Sequence, residues 1–223
     1  MEVSIPARPE PIAIDIKKTA LIAVDMQNAF CSKKGMFDVL GGLDEAKAKR
    51  VIETNKALIE ASRRKGIKVI YLRMTYRPDL SNAGGTQSPN YYKEAGIAAM
   101  CQRGFVNRFL IAGTRDWEII DDLKPLPGDI VVDKNRYSGF FNTELNSILH
   151  TLNIRYLLFA GIATNICVES TLRDAYFYEY FPILVSDGCG NAGPDYTQEA
   201  TIWNVSTAFG WVTTAAELVQ SLQ

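Results

Sequence analysis

Three side chains able to pass one proton among them stand far apart in this sequence: a carboxylate at Asp25, an amine at Lys134 and a thiol at Cys167. Asp25 ends "TALIAVD", Lys134 ends "DIVVDK", and Cys167 follows "RYLLFAGI" in the stretch "GIATNICVES". A thiol becomes a nucleophile when it loses its proton, and a neighbouring ammonium favours the thiolate. A carboxylate in reach of both can take that proton and later return it. Backbone N–H groups of Ala163–Cys167, at the start of a helix, could hold an oxyanion. The chemistry suggested is attack of sulfur on a carbonyl carbon.

Each residue also has a plainer reading. A cysteine at a strand–helix junction is often a small core residue, and an aspartate at a strand end is often a turn residue. Lys134, beside Asn135 and Arg136, could belong to a solvated face. Cys189, in "DGCG" after another apolar run, is a rival nucleophile, whereas Cys31 and Cys101 have no base nearby in sequence. His150 is the one histidine and falls near the end of a short helix, where a surface role is expected.

The elements around the trio give its plainest support. Short Ile- and Val-rich runs "TALIAVDMQ", "KVIYLRMTY", "DIVVDK", "RYLLFAGI" and "PILVSDGCG" read as buried strands, with "WVTTA" as a last edge strand. Helical spacing of Val51, Ile52, Asn55, Leu58, Ile59 and Ser62 fills the stretch from Asp44 to Gly66. Further helices are expected after Asn142 or Thr143 as cap, from Asn165 to about Tyr180, over "DYTQEATIWNVSTAFG" and at the end. Strands alternating with helices imply a three-layer α/β/α domain with a mainly parallel, roughly six-stranded sheet. Such sheets bind ligands outside the carboxyl ends of their strands, where all three residues fall. The reading is one domain over 1–223, with an extended N-terminal arm at 1–17 and a long insertion at 77–115 serving as lid or partner surface.

Composition narrows the function classes. The chain has 223 residues, 47% hydrophobic and 22% charged, with 24 basic and 25 acidic residues and a formal net charge of -1. No basic stripe suggests nucleic acid and no polybasic segment suggests a membrane surface. No run approaches the roughly 18 apolar residues of a membrane span. Four scattered cysteines without CxxC spacing, in a sequence with no leader-like start, point to reduced thiols and a cytoplasmic protein.

Three blocks then become recognisable. "ALIAVDMQNAF", "VVDKNRYSGFFNTELNSIL" and "GIATNICVESTLRDAYFYEYFPILVSDGCGNAG" resemble, in order and spacing, the signature blocks of the isochorismatase-like cysteine hydrolases. The resemblance runs from Ala20 to about Leu218 and lays Asp25, Lys134 and Cys167 on that family's catalytic triad. Within the family, "PLPGDIVV", "RYSGFFNTELNSIL" and "FGWV" are most similar to ureidoacrylate amidohydrolases of bacterial uracil degradation. It implies a cis peptide bond at Ile162–Ala163, an oxyanion hole from the N–H groups of Ala163 and Cys167, and a substrate contact at Tyr137. It implies cleavage of a small ureido compound such as 3-ureidoacrylate to an amine and carbamate, without a cofactor, by a homo-oligomer.

Two contrasts refine this. Nicotinamidases of the superfamily bind a metal through several histidines, which a chain with His150 alone cannot supply, so no metal is expected. True isochorismatases lack the nucleophilic cysteine. One departure opens the substrate: Met74 and Tyr76 stand where the resemblance places Asn and Trp, and "RPDL" at Arg77–Leu80 resembles biuret hydrolase and other carbamoyl-amide hydrolases. Biuret or an N-carbamoyl amino acid is therefore the alternative substrate. Tyr76 is a further candidate contact, and Arg73 or Arg77 could pair with a substrate carboxylate. From another class, the fold could be a binding or redox-sensing protein that keeps Cys167 without turnover. A sensor, however, needs no carboxylate and ammonium beside its thiol.

Overall fold

Apolar runs too short for helices pair side by side. In the computed structural model, which describes residues 1–105 and 109–223, β1 (Glu2–Ile5) and β2 (Ile12–Asp15) form an antiparallel hairpin. Six further strands follow: β3 (Thr19–Val24), β4 (Lys68–Met74), β5 (Ile130–Lys134), β6 (Tyr156–Ile162), β7 (Phe181–Gly190) and β8 (Trp211–Thr213). They make one sheet in the order β5-β4-β3-β6-β7-β8, with every pairing parallel. The helices before β5 are α1 (Asn28–Cys31), α2 (Met36–Val39), α3 (Glu45–Lys65), α4 (Pro89–Lys93) and α5 (Ala95–Arg103). Those after it are α6 (Leu145–Thr151), α7 (Glu169–Phe177), α8 (Tyr196–Asn204) and α9 (Ala215–Ser221).

Both faces of the central strands β3 and β6 are covered, which is why they read as unbroken apolar runs. β3 gives Leu21 and Ala23 to one core, with Val51, Leu58 and Ile59 of α3, Leu218 of α9 and Ile5 and Ile14 of the hairpin. It gives Ala20, Ile22 and Val24 to the other, with Leu145 and Leu149 of α6 and Leu172 and Ala175 of α7. The helix α3 starts and stops where its sequence says. Asp44 caps it by accepting the Lys47 N–H at 2.9 Å, and Gly66 ends it at φ 72°. Among the described residues, no helix is long and apolar enough to cross a membrane.

The structure sharpens four of these expectations. The arm at 1–17 is not simply extended: it folds into the β1–β2 hairpin, and Arg8 pairs with Val212 at the β8 edge. Of the two cap candidates, Asn142 sits at φ 55° and makes no capping bond, whereas Thr143 Oγ1 accepts the Leu145 N–H at 3.2 Å at the start of α6. Cys167 lies in a π turn, Thr164–Val168, before α7 begins at Glu169. The insertion 77–115 contains α4 and α5, and its end and the segment after it return along the sheet, with Tyr76 bridged to Ile111 and Gln27 to Ile119. Such long-range pairings have no signature in local periodicity.

Candidate active site

From β3 the chain builds outward through β4 to β5, then returns to place β6 on the opposite side of β3. The gap between the carboxyl ends of β3 and β6 is thus the point where strand order reverses, the usual seat of a ligand in an open parallel sheet. Asp25 leaves β3 there and Cys167 follows β6. Gly161 permits their approach, since a Cβ at that position, with φ 124°, would lie 2.1 Å from Val24 O.

Lys134 starts two strands away, at the end of β5, and its side chain crosses Met74 of β4 to reach Asp25. Its Nζ stands 2.8 Å from Asp25 Oδ2, and neither side chain is exposed to solvent. The same ammonium donates to Arg136 O at 3.2 Å and lies 3.7 Å from Met74 Sδ. Cys167, 7% exposed, lies near enough to Asp25 and Lys134 for the charges of both to act on its sulfur. The trio is therefore one cluster.

Burial and charge oppose each other in this cluster. Desolvation raises the Asp25 pKa, and Lys134 opposes the rise without cancelling it. Burial alone would discharge Lys134, but Asp25 and Cys167 outweigh it and hold the ammonium above its ordinary range. Burial also pushes the Cys167 thiol up, against the pull of Lys134. Burial thus favours the neutral thiol, against the thiolate expected at a helix N-terminus, and beside it lies a carboxyl group whose proton affinity burial also raises.

The remaining candidates divide. Ala163 leads into the π turn, and the Ile162–Ala163 peptide bond is cis. Tyr137, half-buried, donates its hydroxyl to Lys93 O at 3.3 Å, and burial and Glu94 push its pKa to about 12. Tyr76 is fully buried and accepts from Asn90 Nδ2 at 3.2 Å, so it is a wall rather than a free hydroxyl. Arg73 is not gathered into the site. It pairs with Asp133 (Nε to Oδ1 2.7 Å, Nη2 to Oδ2 3.2 Å) and stacks 3.7 Å over Trp117, on the strand face opposite Met74. Arg77 is exposed on the insertion and donates to Ser81 Oγ at 3.3 Å. Cys189 is buried in β7 near Phe159 O, with its pKa pushed to about 12 by burial and no lysine beside it. It is core. His150 is exposed, as expected.

Two contributors were not singled out from sequence. Thr171 Oγ1 donates to Cys167 O at 2.7 Å and accepts the Gly139 N–H at 3.0 Å, joining the loop after Lys134 to the cysteine turn. Its spacing of four from Cys167 in a helical stretch was the available signal. Glu94 is buried at the start of α5, accepts the Gly96 and Ile97 N–H groups, and feels the charges of Lys134 and Asp25. Nothing local marks it. A cavity of about 260 Å³, lined by Phe30, Phe37, Val51, Ile162 and Gly190, adjoins the Ile162–Ala163 segment.

Comparison with known proteins identifies relatives of the whole chain. The sequence family described as the isochorismatase domain matches residues 19–217. A ureidoacrylate amidohydrolase RutB from Rhizobium rhizogenes is 48% identical over 213 residues, covering 95% of this chain and 86% of that protein. One of the same name from Methylorubrum extorquens is 48% identical over 221 residues, covering 99% and 89%. Among solved structures, a cysteine hydrolase from Pseudomonas syringae superposes with TM-score 0.80 at 29% identity, covering 100% of this chain and 97% of that one. An N-carbamoylsarcosine amidase from Thermoplasma acidophilum gives 0.67 at 28%, covering 90% and 98%.

Proposed function

The chain belongs to the isochorismatase family, and from that premise we propose that it is a cysteine-dependent amidohydrolase of 3-ureidoacrylate or a close ureido analogue. Asp25 takes the Cys167 proton, and the thiolate adds to the ureido carbonyl carbon. Lys134 balances the negative charge, and the N–H groups of Ala163 and Cys167 receive the oxyanion. The C–N bond to the vinyl nitrogen breaks as Asp25 returns the proton to that nitrogen, leaving a carbamoyl thioester on Cys167. Water, deprotonated by Asp25, adds to the thioester, and the sulfur leaves as thiol. Products are 3-aminoacrylate and carbamate, which decays to ammonia and carbon dioxide. No cofactor enters this sequence.

The observation carrying the proposal is the fully buried Lys134–Asp25 pair at 2.8 Å beside the Cys167 thiol, an arrangement costly to build unless it handles a proton. Ammonia release from 3-ureidoacrylate, biuret, N-carbamoylsarcosine and nicotinamide, with Cys167→Ala as control, tests it. Turnover of ureidoacrylate that disappears in the variant is the expected result; turnover surviving the substitution overturns the mechanism.

A second reading has its own support. Arg73 is committed to Asp133 and Trp117, and Arg77 is exposed, so neither arginine expected to meet a substrate carboxylate reaches the trio. That favours a ureido compound without a carboxylate, such as biuret. Higher kcat/KM for biuret than for ureidoacrylate in the same panel decides for it.

We further propose that 1–223 acts as one catalytic domain in the cytoplasm, and that the insertion is a fixed wall of the substrate site, entered from the cavity beside Ile162. Tyr137 Oη to Lys93 O and Arg136 Nη1 to Asn82 O, at 3.1 Å, support this by tying the insertion to the loop after Lys134. A homo-oligomer is proposed from the exposed Tyr176, Phe177, Tyr178, Tyr196 and Trp203.

A further inference from the structure

The backbone ladder between β3 and β4 ends just before the active site. Asp25 N–H donates to Leu72 O at 2.9 Å, and the chain then turns away with Asp25 at φ 49°. Met74, the last residue of β4, would be left without a partner on that side. It is the β4 neighbour of Lys134: the two pair in register across β4 and β5, and Thr75 N–H donates to Lys134 O at 2.7 Å. The Lys134 ammonium also rests against Met74 Sδ.

Gln27 fills the vacant place. Its side chain is fully buried, and its amide meets both main-chain groups of Met74: Oε1 accepts the Met74 N–H at 2.8 Å, and Nε2 donates to Met74 O at 3.0 Å. The second Nε2 hydrogen goes to Trp117 O, 2.8 Å away on the segment that follows the insertion. The Gln27 backbone N–H in turn donates to Asp25 O at 2.7 Å. A primary amide has the donor and acceptor of a peptide group, so this side chain serves as one extra residue of β3 after the strand has left the sheet.

We propose that Gln27 is a positioning residue of the reaction, fixing Asp25 and Lys134 in register across β4 and locking both to the segment that follows the insertion. The proposal rests on Asp25, Lys134 and Cys167 being the reacting groups. A residue two positions from Asp25 that holds the strand under Lys134 controls their separation, and small misplacements of reacting groups cost large factors in rate. Its chemistry is also restrictive. Glutamate can accept from Met74 N–H but cannot donate to Met74 O or Trp117 O, and methionine keeps the length without either function.

The test uses the full chain with Gln27→Glu and Gln27→Met, each checked for folding by its thermal transition. Steady-state turnover of the preferred ureido substrate and the pH dependence of Cys167 alkylation by iodoacetamide are measured together. The expected outcome is kcat lower by at least about tenfold with KM within about threefold. Alkylation in the methionine variant should shift about half a pH unit upward, because a displaced Lys134 stabilises the thiolate less. A filler role predicts lower thermal stability but leaves kcat per folded molecule and the alkylation profile where they were, and that result overturns the proposal. Failure of both variants to fold overturns it too, since Gln27 would then be a requirement of the fold rather than of the reaction. Activity in Cys167→Ala is a separate outcome: it removes the underlying trio, whatever the Gln27 variants do.

Discussion

Asp25 is where the protonation state of the cluster is decided, because burial favours the neutral acid there while Lys134 favours the carboxylate. The net shift is upward, so the acid limb of kcat/KM should lie above the ordinary carboxylate range of about 4. Lys134→Gln removes the group that lowers the Asp25 pKa and stabilises charge in the transition state. The acid limb should then move to higher pH, and kcat/KM should fall by about 100-fold or more. A pH–rate profile checks both, and an acid limb that stays put or moves down contradicts the assignment. Asp25→Asn leaves a similar shape without a proton acceptor, and a loss of about 100- to 10,000-fold in kcat is expected in single-turnover measurements. The trio itself was legible because each member ends or follows an apolar run that could only be a buried strand. The partner of Arg73 was not, since Asp133 faces it only once β4 and β5 are in register.

Strand ends bring these side chains together, and Gly161 shows how little room they leave. An alanine there would combine a 2.1 Å approach to Val24 O with a left-handed φ of 124°. Gly161→Ala should cost at least about 3 kcal/mol and lower the thermal midpoint by roughly 6 °C or more in a chain of this size. Thermal melts followed by circular dichroism measure it; an unchanged midpoint would contradict the packing described at the β3–β6 junction. Thr171→Val removes the link from Gly139 to Cys167 O, and should lower kcat by about tenfold while binding of substrate changes little. Element types were mostly readable from apolar runs and from Asp44 and Gly66 at the ends of α3. The π turn at Thr164–Val168 was not, because its residues are as compatible with the first turn of an α-helix. What widens it is Val168 N–H reaching back five residues to Ala163 O at 3.1 Å.

For the molecule as a whole, sedimentation of the purified protein should give a mass above one chain, and a monomer would remove the proposed role of the exposed aromatic residues. The N-terminal hairpin offers another test. Trp211 Nε1 donates to Glu10 Oε1 at 3.3 Å, Thr213 Oγ1 donates to Pro6 O at 2.7 Å, and Arg8 and Val212 exchange backbone bonds at 2.8 and 2.9 Å. Deleting residues 1–17 uncovers the apolar side chains beneath Ile5 and Ile14, and should yield a chain that aggregates on heating, as light scattering would show. The hairpin also affects how the chain reaches its final form. β8 is the last strand of the sheet, and an uncovered edge strand can recruit strands from other molecules. The groups that cover it lie 201 to 207 positions earlier in the sequence. On the ribosome, the cover is therefore made first and has nothing to close on until the eighth strand emerges. Fragments lacking the C-terminal segment should leave the hairpin unpaired and expose β7 as a raw edge, so full-length synthesis and protection from strand-to-strand association become one event.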